Sequence, residues 1–176
     1  LQVPPVTTGT ALDVACGSGR HAVYLALSGY DVTAMDRLPD ALERAADLAA
    51  RSGVRVRCVQ RDVSAPGALD DQSADLVVVV RFLDRALFGP LQRALRPGGM
   101  LVYETFTSQQ AEHGHPRHPR HLLEPDELRG AFPGLRTLVY REGCFDGAHL
   151  ARLVAVAPTP EAACNPPGTG CVPDRR

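Results

Sequence analysis

The 176-residue chain contains no lysine; all 19 of its basic residues are arginine. A Schiff-base lysine and the lysine of a P-loop are thereby excluded, and two enzyme classes go with them. Its five cysteines, Cys16, Cys58, Cys144, Cys164 and Cys171, form no CxxC pair. Their odd number and wide spacing argue against a disulfide framework or a metal centre and for reduced thiols in the cytoplasm. No apolar run approaches the roughly 18 residues of a membrane span, so no membrane partner is expected. A net charge of -1 leaves no global basic field, which disfavours nucleic acid as a partner. The length suits one domain, without room for a catalytic domain beside a separate nucleotide-binding one. The first residue is Leu1 and no targeting pattern precedes the first apolar stretch. The start therefore reads as truncated or processed, with an N-terminal segment missing.

What the sequence does carry is a glycine-rich turn, Asp13-Val-Ala-Cys-Gly-Ser-Gly-Arg20, between an apolar strand and a helix. Gly17 and Gly19 allow backbone to approach a ligand closely. Gly17-x-Gly19-x-x-Ala22 also satisfies the dinucleotide fingerprint, so a nicotinamide enzyme has to be weighed. Asp13 works against it, because a carboxylate four residues before the first glycine opposes a pyrophosphate. S-adenosylmethionine, with a sulfonium, an ammonium and no phosphate, suits that acid.

Hydrophobic patterning predicts a first strand over 10–16, a helix over 18–28 ended by Gly29, and a second strand over 31–36. A helix from Pro39 to Gly53 and a third strand over 54–61 follow, the strand charged on one face as at a sheet edge. Residues 64–74 read as turns with at most one short helical piece. Asp75 to Val80 is the strongest strand, and 85–95 is a helix stopped by Pro97, Gly98 and Gly99. A fifth strand over 100–106 leads to a polar loop over 108–121, then a short helix over 124–132. Strands over 135–140 and 150–157, separated by turn residues, form an antiparallel hairpin. Residues 159–176 are expected to be a disordered tail behind a domain spanning 1–158.

Acids recur at successive strand ends: Asp13, Asp36 and Asp62. The C-terminal strand ends of an open parallel sheet line its ligand crevice, so these carboxylates converge on one molecule. Asp36 is suited to the ribose hydroxyls and Asp62, with the Val63 amide, to the adenine. With its glycine motif, post-strand acids and Leu95-Arg-Pro-Gly-Gly99 turn, the chain resembles the class I S-adenosylmethionine-dependent methyltransferases over residues 10–157. Asp13 to His21, Arg81-Phe-Leu-Asp-Arg85 and Tyr103-Glu-Thr-Phe106 look most like the small bacterial tellurite-resistance type. The resemblance implies an α/β, doubly wound, Rossmann-like sheet of seven strands in the order 3-2-1-4-5-7-6, with strand seven antiparallel. It implies that Asp13, Ala15, Gly17 and Gly19 hold the methionine end of S-adenosyl-L-methionine, Asp36 and Arg37 the ribose, and Asp62 and Val63 the adenine. The Arg81 backbone carbonyl would meet the ammonium.

Methyl transfer needs orientation more than a dedicated base, and no nucleophilic triad is recognisable. The catalytic residue is unknown from sequence; Arg81, Tyr103, His118 and His121 are the candidates, with Asp84, Arg85 and Glu104 nearby. The loop His113-Gly-His-Pro-Arg-His-Pro-Arg-His121 offers four histidines and two arginines, suited to an oxyanion or an anionic organic substrate. Clustered histidine without Cys or Asp partners specifies no metal geometry, so no metal is expected. Val80-Arg-Phe-Leu83 lacks the Asn/Asp-Pro-Pro-aromatic run of base-amino methylation. The favoured reading is a cytoplasmic methyltransferase, monomer or homodimer, acting on a small molecule: an oxyanion such as tellurite, or a thiol or selenol. Two rivals stay open, an RNA or protein methyltransferase and a non-catalytic S-adenosylmethionine-binding domain.

Overall fold

A computed structural model describes residues 9–160. Its centre is a seven-stranded sheet in the order β3-β2-β1-β4-β5-β7-β6, formed by β1 (Gly9–Val14), β2 (Tyr30–Asp36), β3 (Arg57–Gln60), β4 (Ala74–Val80), β5 (Leu95–Phe106), β6 (Arg136–Phe145) and β7 (Ala148–Val156). The first five strands run parallel, and β7 is antiparallel to both β5 and β6. Order and direction are those implied by the resemblance.

Helices α1 (Arg20–Leu27) and α2 (Pro39–Arg51) cover one face, where Ala22, Leu25 and Leu42 pack on Val32, Ala34, Leu76 and Val78. Helices α3 (Phe88–Ala94) and α5 (Glu127–Gly130) cover the other, over Val77, Val79, Leu101, Tyr103 and Leu153. Strand β4 is buried on both faces, which is why its sequence runs Val77 to Val80 without alternation. Helix α4 (Gln110–His113) lies in the 108–121 loop.

Several boundaries differ from the sequence expectation for local reasons. The turn that closes α2 takes up Val54, whose N–H donates to the Ala49 carbonyl at 3.1 Å, and β3 starts only at Arg57, shorter than expected. No helix forms over 64–74. The helix expected from Arg85 opens as a 3₁₀ turn, Arg85–Leu87, capped by the Asp84 carboxylate on the Ala86 N–H at 3.0 Å. Leu95 already pairs with Ala74, so β5 begins before the Pro-Gly-Gly bulge instead of after it. Asp126, at φ 59°, cannot sit inside a right-handed helix and delays α5 to Glu127. The hairpin strands extend to a two-residue Asp146-Gly147 turn with positive φ at both positions. Of the expected tail, residues 161–176 lie outside the described residues.

Candidate active site

The parallel order decides what meets at the top of the sheet. Asp36 closes β2, Asp62 follows β3 by two residues, and Arg81 follows β4 directly. All three line one open cavity of about 840 Å³, joined by Ala15 from the turn after β1, Arg37, Leu38, Val63 and Ser64. Its other wall is Phe82, Leu83, Asp84 and Arg85 after β4, Phe106 at the end of β5, and Pro116, Arg120 and His121 from the loop.

Asp36 organises the first wall. Its Oδ2 accepts from the Gly17 N–H at 2.9 Å and its Oδ1 from the Leu38 N–H at 3.0 Å. The carboxylate thus ties the glycine turn to the end of β2, while each oxygen keeps a second lone pair. Asp62 accepts from the Ser64 N–H through Oδ1 at 3.0 Å. Ala15 and Arg81 adopt φ of 56° and 57° at the two strand ends beside the cavity.

The two glycines of the turn do different work. Gly17 has φ 55°, and a Cβ there would meet nothing within 4 Å. Gly19 has φ 74°, and its Cβ would stand 2.5 Å from the Ala45 Cβ and 2.9 Å from the Ala45 Cα. Gly17 faces open space, although it does not itself line the cavity; Gly19 leaves space for α2. Asp13, expected beside the ligand, lies beneath the turn: it is 1% exposed and its Oδ2 accepts from the Ala22 N–H at 2.9 Å. Burial raises its carboxyl from the usual range to about 7. Burial likewise pushes the Cys16 thiol up to about 12, which suits packing and not nucleophilic chemistry.

On the second wall, Arg85 is a strut. Its guanidinium grips both Glu127 oxygens, at 2.5 and 2.7 Å, and donates to the Leu122 carbonyl at 3.0 Å. Arg81 and Arg120 have neither a salt bridge nor a side-chain hydrogen bond among the described residues; the Arg81 guanidinium rests 5.6 Å from the Phe106 ring centre. His121 faces the cavity with its ring 6.0 Å from that of His118, whose Nδ1 accepts from the Arg120 N–H at 3.2 Å.

Of the residues expected on the acceptor side, Tyr103, Glu104 and His118 do not line the cavity. Tyr103 is fully buried against Phe88 and Phe132, and its hydroxyl donates to the Phe82 carbonyl at 3.0 Å. Strand alternation turns it into the core, so it acts on the cavity only through Phe82. Glu104 points to the opposite face, paired with Arg152 at 2.6 Å. It lines a separate cavity of about 220 Å³ with His21 and Tyr24. Conversely, Leu38, Ser64, Phe82, Leu83 and Phe106 line the wall without having been singled out by sequence, while Pro116 comes from the expected loop. For Leu38, Ser64, Phe82 and Leu83 the signal was adjacency to the strand-end acids and to Arg81; Phe106 stands at the end of β5. Among the described residues no group of three or more His, Cys, Asp or Glu is placed to hold a metal ion.

Comparison with known proteins adds an independent line. The family model described as a methyltransferase domain matches residues 11–99. Hemagglutinin 1 of Eikenella corrodens is 31% identical over 147 residues, covering 80% of this chain and 48% of its own length. A ubiquinone biosynthesis O-methyltransferase of Rickettsia conorii is 31% identical over 100 residues, 53% of this chain and 34% of the enzyme. The chain therefore spans half or less of these curated relatives. TehB from Haemophilus influenzae superposes with a TM-score of 0.72 at 19% identity, over 86% of this chain and 58% of TehB, a likeness of fold.

Proposed function

The chain belongs to the class I S-adenosylmethionine-dependent methyltransferases, and from that membership we propose that it transfers a methyl group to a small anionic acceptor in the cytoplasm. The observation carrying this reading is the lining of one cavity: Asp36 and Asp62 at two strand ends, with Arg81, Arg120 and His121 facing the same space and the Arg81 and Arg120 guanidinium groups without a salt bridge among the described residues.

The residues present fit the cofactor. The space over Gly17 admits the methionine part, and the spare lone pairs of Asp36 suit two ribose hydroxyls. Asp62 and the Val63 amide suit the adenine edge, Arg37 flanks the ribose, and the Arg81 carbonyl suits the ammonium. Ala15 bounds the pocket, while Asp13 and Gly19 support it from beneath, through α1 and α2 respectively. Bound there, S-adenosylmethionine supplies an electrophilic methyl on a sulfonium that departs as a neutral thioether.

The chain's own task is then orientation, which can lower a barrier by roughly 7–11 kcal/mol in favourable cases. Arg81 and Arg120 neutralise and align an anionic acceptor, the rings of Phe82 and Phe106 bound its approach, and His121 receives a proton where the acceptor carries one. His118 sits behind, holding the Arg120 backbone. An oxyanion such as tellurite, or a thiol or selenol bearing an acidic group, fits these walls.

Titration calorimetry with S-adenosylmethionine and with NAD, followed by transfer of labelled methyl to tellurite, selenite and small thiols, tests the reading. Binding of the methyl donor with transfer to one of these acceptors is expected. Preference for NAD overturns it, and donor binding without any transfer leaves a cofactor-binding domain.

A further inference from the structure

The loop that supplies Pro116, Arg120 and His121 to the cavity is polar and mostly exposed, yet it is tied down at one buried point. Its ends are closed by backbone: the Ser108 N–H donates to the Leu123 carbonyl at 2.7 Å and the Leu123 N–H to the Phe106 carbonyl at 2.9 Å. Between those ends, Gln110 is 4% exposed and uses both ends of its amide. Its Oε1 accepts from the buried His149 N–H on β7 at 2.7 Å, and its Nε2 donates to the His115 carbonyl at 3.1 Å. The His149 ring is itself held, with Nδ1 at 2.5 Å from the Thr107 hydroxyl and His113 stacked 6.1 Å from its ring centre.

We infer that Gln110 is the positioning residue of the acceptor-side wall: one amide clamps the loop to β7 and thereby sets Pro116, Arg120 and His121 against the cavity. The inference rests on the acceptor reading of that wall, but its mechanics do not.

A side chain of this kind has few substitutes. The His149 N–H needs an acceptor and the His115 carbonyl a donor, and the Gln110 amide offers both on one planar group. Leucine fills the space and satisfies neither, leaving a buried N–H without a partner. Glutamate keeps the acceptor and loses the donor, so it separates anchoring to β7 from restraint of the loop. Glu127 and Arg85 secure the loop's exit at Leu122, beyond His121, and cannot replace the tie at His115.

The loop reports its own freedom, because trypsin can cleave after Arg117 and Arg120. Wild type, Gln110→Leu and Gln110→Glu are compared for cleavage at these bonds, for the ring-proton NMR signals of His118 and His121, and for S-adenosylhomocysteine affinity by calorimetry. Both variants are expected to accelerate loop cleavage by about tenfold or more. They should also move the two histidine signals towards those of free histidine, with S-adenosylhomocysteine affinity held within about twofold. Unchanged cleavage and unchanged histidine signals overturn the inference. So does an equal rise in cleavage at helix sites outside the loop such as Arg51 and Arg93, which marks a general loss of stability. Should wild type fail to bind S-adenosylhomocysteine, the methyltransferase reading fails while the cleavage result still decides the role of Gln110.

Discussion

Asp13 carries the sharpest consequence of burial in the molecule. An acid raised from 3.8 to about 7 in the fold binds its proton more tightly there than in the unfolded chain. Stability from this group is therefore fully present below pH 3.8, falls as pH rises towards 7, and stays at its lower level above. At about 1.4 kcal/mol per pH unit, the penalty at neutral pH reaches up to about 4 kcal/mol. Asp13→Asn keeps an oxygen for the Ala22 N–H and removes the ionisation. Urea unfolding should find the variant more stable than wild type at about pH 8, with the gap closing towards about pH 4. A gap independent of pH would show that the carboxyl ionises in the fold as freely as in the unfolded chain. Tyr103 makes the complementary point. Alternation along β5 sets Leu101 and Tyr103 on one face and Val102 and Glu104 on the other, and the structure shows that the Tyr103 face is packed under α3 and α5. Its motif points to chemistry, but its hydroxyl is spent on the Phe82 carbonyl.

At the scale of elements, the glycine turn separates ligand space from packing space within three residues. In Gly19→Ala the new methyl stands against both the side chain and the backbone of Ala45. Overpacking of this kind costs about 1–3 kcal/mol, and a positive φ adds about 1 kcal/mol or more. Gly17→Ala incurs only the second cost, because nothing lies near its Cβ. Thermal unfolding should therefore fall well below wild type for Gly19→Ala and only slightly for Gly17→Ala, whereas S-adenosylhomocysteine affinity should be lost in Gly17→Ala despite its intact fold. Ala45→Gly should rescue Gly19→Ala only in part, since the contact to the Ala45 Cα remains. Wild-type affinity in Gly17→Ala would mean that the open side of the turn receives no ligand. The sequence already marks this turn as a close approach. It cannot say which glycine faces α2, because that depends on the crossing of two helices separated by β2. Boundaries were legible where a residue type dictates them, as at Gly29 after α1. They were not where a hydrogen bond between distant residues decides, as with Leu95 paired to Ala74 or the loop clamped through Gln110 and His149.

At the scale of the whole molecule, parallel strands running to one edge turn three sequence-distant residues, Asp36, Asp62 and Arg81, into one cavity. Asp36 was legible because it ends a strongly patterned strand, and Asp62 because it follows one within two residues. The second wall was less so, since Phe106 and Pro116 reach it only through the long β5 and the folded-back loop. The two walls should also be separable by measurement. A ligand bound only by the native state stabilises it by about 2.7 kcal/mol at a hundred times its Kd, or roughly 5–10 °C for a domain of this size. Wild type should show that rise in Tm with S-adenosylhomocysteine. Asp36→Ala removes the carboxylate from the Gly17 and Leu38 amides and should abolish the ligand-induced rise, beyond lowering the ligand-free Tm itself. Asp84→Ala is the matched control: it too removes a carboxylate that lines the cavity and caps a backbone N–H, but from the acceptor wall. Its ligand-free Tm should fall by about as much as a lost cap allows, about 0.5–2 kcal/mol, while the ligand-induced rise persists. Equal loss of the rise in both variants would mean that the cavity binds its cofactor across both walls, leaving the acceptor no wall of its own.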